Sequence, residues 1–197
     1  MSDDILKLDN VSFGYGDNRI LNGFSMKLGK GEFLGITGRS GKGKTSLLGL
    51  CAGLLKPDSG EVLRNYARAS FVFQNYRLLP WKTVSENIVF PLKGRVPDDE
   101  SFEKAEKYMR MFEIGDACDL RPSQISGGMA QRTALARALI NEPDIIFMDE
   151  PFSALDSVLR EKAANLVRSY CEENGCSLML ISHFSSDIGM CGSVISV

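Results

Sequence analysis

Apolar residues fall along this chain in two textures. Ile5-Leu6-Lys7-Leu8 and Val11-Ser12-Phe13 are short strand-like pieces broken by Asp9-Asn10. Phe24-Ser25-Met26-Lys27-Leu28 alternates apolar and polar, as a half-exposed strand does. Turn-rich stretches at Gly14 to Asn18 and Gly29-Lys30-Gly31 separate them. From Phe33-Leu34-Gly35-Ile36 onward, buried-type strands alternate with helical spacing. Ser46 to Leu50 reads as a helix, Pro57-Asp58-Ser59-Gly60 as a turn and Glu61-Val62-Leu63 as a short strand. Ala69 to Phe73 is a buried strand closed by Gln74. Helical spacing then covers Val84 to Phe90 and Asp98 to Phe112, linked through Gly94-Arg95-Val96-Pro97. Asp98, Asp99 and Glu100 sit where the positive end of a helix favours anions. Beyond lie a helix (Met129 to Ile140), a strand (Ile145 to Met148), a helix (Leu159 to Asn174), a strand (Leu178 to Ile181), a short helix and a strand at Val194 to Val197.

This alternation predicts an α/β fold with a mostly parallel sheet, an N-terminal antiparallel β portion and a helical insert. One domain is expected over 1–197. Residues 1–77 and 125–197 would form its core, and about 78–124 a helical subdomain.

The strand at Phe33 to Ile36 runs into Gly38, Arg39, Ser40, Gly41, Lys42, Gly43, Lys44 and Thr45, and then into a helix from Ser46. That is G-x-x-x-x-G-K-[ST] in its required setting of strand, loop and helix. Glycines let backbone N–H groups turn inward around a polyphosphate. Lys44 places an ammonium against the outer phosphates. Thr45 offers a hydroxyl to Mg²⁺ and opens a helix whose positive end faces the anion. A Gly/Ser-rich surface turn would explain neither flanking element.

Composition narrows the partners. With 197 residues and 44% hydrophobic residues, the chain can bury a sizeable core. A net charge of −2 argues against a general nucleic-acid binder. Cys51, Cys118, Cys171, Cys176 and Cys191 form no C-x-x-C pair, and free thiols in a reducing cytosol are expected. The acidic start, Met1-Ser2-Asp3-Asp4, does not have a signal-peptide pattern, and no apolar run is long enough to span a membrane. Any membrane role is therefore expected to come through a partner.

Two further constellations carry chemistry. Ile145-Ile146-Phe147-Met148 ends in Asp149-Glu150. Ligands in α/β sheets bind beyond the carboxyl ends of strands. Asp149 is then the metal-side candidate and Glu150 the candidate base, their side chains directed differently by strand alternation. In Ile125-Ser126-Gly127-Gly128-Met129, Ser126 can cap the following helix, and Gly127 and Gly128 leave its first N–H groups open to an anion. Gln131, Arg132 and Arg137 follow.

In this order the motifs resemble those of the nucleotide-binding subunits of ABC (ATP-binding cassette) transporters, over nearly the whole chain. Tyr15 lies where that family stacks an aromatic on adenine. Gly38 to Thr45 fits its narrower G-x-S-G-x-G-K-T loop, and Gln74 its Q-loop glutamine. Ile125 to Met129 stands at the L-S-G-G-Q signature, with both outer positions changed. Asp149 and Glu150 match the Walker B aspartate and catalytic glutamate, and Ser153-Ala154-Leu155-Asp156 the D-loop. His183, the only histidine, matches the switch histidine but is followed by Phe184 rather than an acidic residue. Family members usually continue through further C-terminal elements.

The resemblance implies the P-loop ABC ATPase fold and a Mg²⁺-dependent ATPase. Lys44, Gln74, Glu150 and His183 would be catalytic. Tyr15, Gly38 to Ser46, Ser126, Gly127 and Gly128 would bind nucleotide. Thr45, Gln74 and Asp149 would hold Mg²⁺. Two such subunits, like or unlike, would pair head to tail, so that Ser126-Gly127-Gly128 of one caps the ATP of the other. Transmembrane permease subunits are the implied partners, and an extracytoplasmic binding protein would act through them. The location implied is the cytoplasmic face of the membrane. Leu78-Leu79-Pro80-Trp81-Lys82-Thr83-Val84 looks like the matching segment of importer ATPases of the nitrate, sulfonate or taurine type. Trp81 would either line a groove for a permease helix or fill the insert's own core. Pro80, Thr83 and Asn87 also fit plain helix-start chemistry. An exporter ATPase, a soluble ABC ATPase acting on a protein, and a nucleotide-gated binding module are the alternatives. Stacking on Tyr15 suits adenine or guanine.

Overall fold

The computed structural model describes residues 4–39 and 41–197. The expectations for Met1, Ser2, Asp3 and Ser40 lie outside the described residues.

Strands β1 (Asp4–Tyr15) and β2 (Asn18–Gly29) form a hairpin turning through Gly16-Asp17. A later strand, β4 (Ser59–Arg64), pairs with the other side of β1, so an antiparallel sheet runs β2-β1-β4. Asp9-Asn10 does not break β1 into two pieces. Asn10 takes φ 51°, and the pairing on both sides changes register there, so the irregularity is absorbed as a bulge within one strand.

Five parallel strands build the second sheet: β3 (Phe33–Thr37), β5 (Ala69–Val72), β6 (Ile145–Asp149), β7 (Ser177–Ile181) and β8 (Ser193–Ser196). Their order is β5-β6-β7-β3-β8. Every residue of β6 and β7 is buried, as continuous apolar strands covered on both faces should be. Alternation divides their side chains between two cores. Ile146, Met148, Leu178 and Leu180 pack with α2 (Val84–Val89), α3 (Asp98–Met111), α4 (Gly127–Ile140) and α5 (Ser157–Asn174). Ile145, Phe147, Met179 and Ile181 pack with α1 (Lys44–Cys51) and the antiparallel sheet. The short α6 (Ser185–Ile188) leads into β8.

Residues 78–124 hold α2, α3 and short 3₁₀ turns, and both helices pack against α4. Helix α2 opens on a capping box: Glu86 N donates to Thr83 Oγ1 (3.2 Å) and Thr83 N to Glu86 Oε2 (2.9 Å). Asn87, fully buried, accepts from Leu79 N (2.7 Å) and donates to the carbonyls of Leu79, Lys82 and Thr83 (3.1, 3.2 and 2.9 Å). Thr83 and Asn87 therefore do the helix-start work that their spacing suggested. Trp81 does not fill the insert's core: it is 67% exposed.

Candidate active site

The phosphate loop, Gln74, Asp149, Glu150 and His183 lie at the carboxyl ends of four neighbouring strands. Gln74 follows β5, Asp149 and Glu150 close β6, His183 follows β7, and the glycine-rich loop follows β3. Strand order, not chain order, places them side by side.

The loop's glycines have local physical causes. Gly38 takes φ 139°, and a Cβ there would lie 2.2 Å from the carbonyl oxygen of Val197, the residue just past β8. Gly43 takes φ 94° as the N-cap of α1, where a Cβ would collide with Ile20 at 2.1 Å. Neither position admits another side chain without moving a neighbour. Gly43, as the N-cap, supplies no side-chain cap to α1. Lys44, 7% exposed, curls back along the loop and donates to the Gly38 and Arg39 carbonyls (2.9 and 3.0 Å). Arg39, Gly41 and Lys42 are exposed at the rim.

Thr45 Oγ1 donates to Asp149 Oδ2 at 2.7 Å. This bond joins the first turn of α1 to the end of β6 across the site. Tyr15 stands at the mouth, 57% exposed, edge-on to Phe13 and with its hydroxyl 3.5 Å from Ser46 Oγ.

Glu150 is only 7% exposed and takes φ 50°, an uncommon backbone region for glutamate. Its amide donates to Ile181 O (2.9 Å), and its own carbonyl accepts from Ser153. Oε1 is buried with no hydrogen-bond donor among the described residues, yet it lies 3.3 Å from His183 Nε2. The contact is thus close in distance but not aligned as a hydrogen bond. Burial raises the Glu150 carboxyl above its ordinary 4.5; the adjacent imidazole and Lys44 oppose that, while Asp149 adds to it. His183 itself is exposed.

Gln74 is exposed beyond β5. Arg137 on α4 secures the chain just after it, donating to the carbonyls of Tyr76 (2.8 Å) and Arg77 (2.9 Å). The second predicted anion site takes the expected form at a different place. Ser126 Oγ accepts from Met129 N (3.2 Å), capping α4. Gly127 faces Tyr76, and Gly128 lies beside Ala154 and Leu155. These neighbours belong to the segments after Gln74 and Glu150, and none is in the phosphate loop. A groove near the first of them is walled by Phe71, Phe73, Leu79, Phe90 and Arg137; Trp81 is not in its lining.

Two supporting roles go beyond the sequence reading, the first at Asp156 of the D-loop match. Asp156 Oδ1 caps α5 by accepting from Val158 N and Leu159 N, both at 3.0 Å, and an Asp ahead of a helical stretch was the available signal. Ser182 Oγ donates to buried Asp187 Oδ2 (2.7 Å) and accepts from Phe184 N (3.1 Å), bracing the chain on both sides of His183. Only three-dimensional proximity shows that pair.

The chain is similar to known proteins in both sequence and fold. Residues 21–153 match the family model described as ABC transporter. An aliphatic sulfonates import ATP-binding protein of Granulibacter bethesdensis is 41% identical over 91% of this chain and 73% of its own length. A spermidine/putrescine import ATP-binding protein of Haemophilus influenzae is 35% identical over 91% of this chain, which spans only 51% of that relative. Among solved structures, a dimeric ATP-binding cassette in a post-hydrolysis state bound to ADP and Pi superposes with a TM-score of 0.90 at 32% identity, covering 98% of this chain and 94% of the other. With phosphate loop, carboxylate pair and histidine converging on one sheet edge, and relatives matching along most of their length, the chain belongs to the ABC transporter family of ATP-binding cassettes.

Proposed function

We propose that this chain is the ATP-hydrolysing subunit of a membrane importer, working in the cytoplasm against the membrane. The observation that carries the reading is the pairing of two short contacts at adjoining strand ends: Thr45 with Asp149 at 2.7 Å, and His183 with Glu150 at 3.3 Å. The first is a pair of hard oxygen donors next to a phosphate loop. The second sets a buried carboxylate beside an imidazole, where water can be polarised.

Thr45 and Asp149 are suited to hold Mg²⁺, with Gln74 reaching it from the end of β5. Among the described residues, no group of three or more His, Cys, Asp or Glu side chains could hold a metal. Phosphate oxygens and water would therefore supply most of the ion's ligands. When bound, Mg²⁺ neutralises charge on the β and γ phosphates. Lys44 exchanges its two loop carbonyls for phosphate oxygens, and the amides of Gly38 to Ser46 cradle the chain of phosphates. Tyr15 stacks on the base. Glu150 accepts a proton from the attacking water, whose oxygen joins the γ-phosphorus as the bond to ADP breaks. His183 contacts the transferred phosphate.

The site is completed by a second subunit. Ser126, Gly127 and Gly128 present open helix-start N–H groups away from their own loop, which suits a head-to-tail pair. The dimeric state of the ADP- and Pi-bound neighbour supports this. The segment 78–124 forms the helical subdomain that carries motion to transmembrane permease subunits, through the groove between Phe73, Leu79 and Phe90. The sulfonate and polyamine importers among the relatives support import, with an extracytoplasmic binding protein delivering cargo.

The test is direct. Purified protein should hydrolyse MgATP, and with permease subunits in vesicles it should drive uptake. A protein that binds ATP without releasing phosphate in a single turnover would be a binding module instead. Hydrolysis that follows a soluble protein partner, with no membrane association, would favour the non-transport class.

A further inference from the structure

Arg160 has no role in the chemistry above, yet it touches both segments that flank the Glu150–His183 contact. It sits in the first turn of α5, part-buried. Its guanidinium donates to two backbone carbonyls, Phe152 O from Nε (3.4 Å) and Leu155 O from an Nη atom (3.2 Å). Those carbonyls belong to the loop running from Glu150 to Asp156. The same guanidinium lies over the Phe184 ring, with Cζ 3.5 Å from the ring centroid. Phe184 is the residue after His183 and is 41% exposed.

The His183 ring needs such support. Its side chain is 54% exposed, against 9% for that of Glu150, so packing alone does not hold the imidazole. What orients it is the backbone, fixed on one side by Ile181 in β7 and on the other by Phe184. Ser182 and Asp187 anchor the Phe184 amide, and the guanidinium anchors its ring. A cation over an aromatic face is attractive, and planar Arg suits this stacking better than Lys.

We infer that Arg160 is a positioning residue: by clamping the Phe152 and Leu155 carbonyls and the Phe184 ring with one guanidinium, it holds His183 in register with Glu150. This deepens the proposed ATPase reading and rests on it for its effect on turnover. The geometric claim stands on the contacts alone. It also explains how Phe184 can occupy the place of the acidic residue expected there, since the ring keeps the cation that a carboxylate would otherwise bind.

The sole histidine gives one imidazole Cε1–H resonance, so NMR reads its surroundings without hydrolysis. In the otherwise unmodified protein, Glu150→Gln should move that resonance. On a Phe184→Leu background the same substitution should leave it nearly unmoved. On a Phe184→Tyr background, which keeps a ring under the guanidinium, the movement should return. Turnover should follow: Phe184→Leu and Arg160→Leu each lower kcat by about tenfold with KM for ATP within about twofold, because neither residue belongs to the proposed nucleotide-binding set. Phe184→Tyr, or Phe184→Asp pairing with Arg160, should recover most of kcat. An undiminished response to Glu150→Gln in Phe184→Leu overturns the proposal, as do equal losses of kcat in Phe184→Leu and Phe184→Tyr. Because Phe184 is substantially exposed, its variants decide the matter even if Arg160→Leu fails to fold. Absence of hydrolysis in the unmodified protein would sink the ATPase reading, while the NMR series would still judge the clamp.

Discussion

Thr45 and Asp149, 104 residues apart in the chain, share a 2.7 Å hydrogen bond across the mouth of the sheet. The hydroxyl starts a helix and the carboxylate ends a strand, so the bond fixes the loop against the catalytic edge. Both oxygens are also the donors proposed above for Mg²⁺. Asp149→Asn keeps the size and can still accept from Thr45, but it removes the charge. Its MgATP turnover is expected to fall at least about a hundredfold, as losses of transition-state electrostatic partners do. Titrating Mg²⁺ against phosphate release checks this; a variant that recovers full turnover at raised Mg²⁺ would show Asp149 serving affinity alone.

Glu150 is predicted to impose an acid limb on the pH–rate profile. Burial raises its carboxyl above 4.5, and the base role requires the carboxylate. Rate should therefore rise with pH through a midpoint above the ordinary glutamate range, and Glu150→Gln should abolish turnover and trap an ATP-bound dimer. The stability consequence has the opposite sense. A carboxyl whose folded pKa is raised binds its proton more tightly when folded, so its contribution is fully present below 4.5 and is lost as pH rises through the folded value. Glu150→Gln should then raise Tm at neutral pH and change it less at pH near 4. Calorimetry at the two pH values checks the sign.

Ser126 is expected to serve two functions that can be separated. Removing its acceptor leaves Met129 N without its side-chain cap, so Ser126→Ala should destabilise the protein by about 1 kcal/mol in urea unfolding. It should also weaken ATP-driven pairing. Ser126→Asp restores the cap but adds an anion where phosphate is to approach. Stability near that of the original protein with pairing still lost, followed by size-exclusion chromatography in MgATP, would assign the position to binding across the pair.

Asn87 should matter more to stability than its place on a short helix suggests. Four hydrogen bonds run from one buried amide to the loop at 79–83. Asn87→Leu removes the partner of Leu79 N and of the Lys82 carbonyl, while Leu79 O keeps Lys82 N and Thr83 O keeps the residue 87 amide, with an expected cost of about 2–4 kcal/mol. Trp81→Ala, by contrast, should change stability by less than about 0.5 kcal/mol, because the ring already faces solvent. If Trp81 meets the permease, that variant should lose membrane recruitment; sedimentation with permease-containing vesicles reads it.

The sequence revealed most where a single element carries the information. The strand at Ile145 to Met148, the phosphate loop and the capped helix after Ser126 are all local patterns, and each stands where periodicity or spacing put it. Boundaries slipped where polar side chains decide them: α4 starts at Gly127 rather than Met129, and α5 at Ser157 rather than Leu159, because Ser126 and Asp156 cap the backbone further upstream. Asp9-Asn10 looked like a break, since polarity cannot distinguish a turn from a bulge inside a paired strand. Trp81 was undecidable from composition, as an aromatic after proline suits a core and a surface equally. The Arg160 stack on Phe184 was beyond reach, because the two residues lie on different elements that only the packed sheet brings face to face.

The parallel sheet works as a comb. Its teeth stand about 4.8 Å apart, and four neighbouring ones carry the candidate groups at their tips, β6 bearing two. Lengths of the intervening helices and loops do not enter that spacing, so extra residues inserted between the teeth should leave the site whole. A slip of one residue in the β6–β7 pairing, by contrast, would turn Asp149 and Glu150 each to the face it now avoids and unmake the site at once.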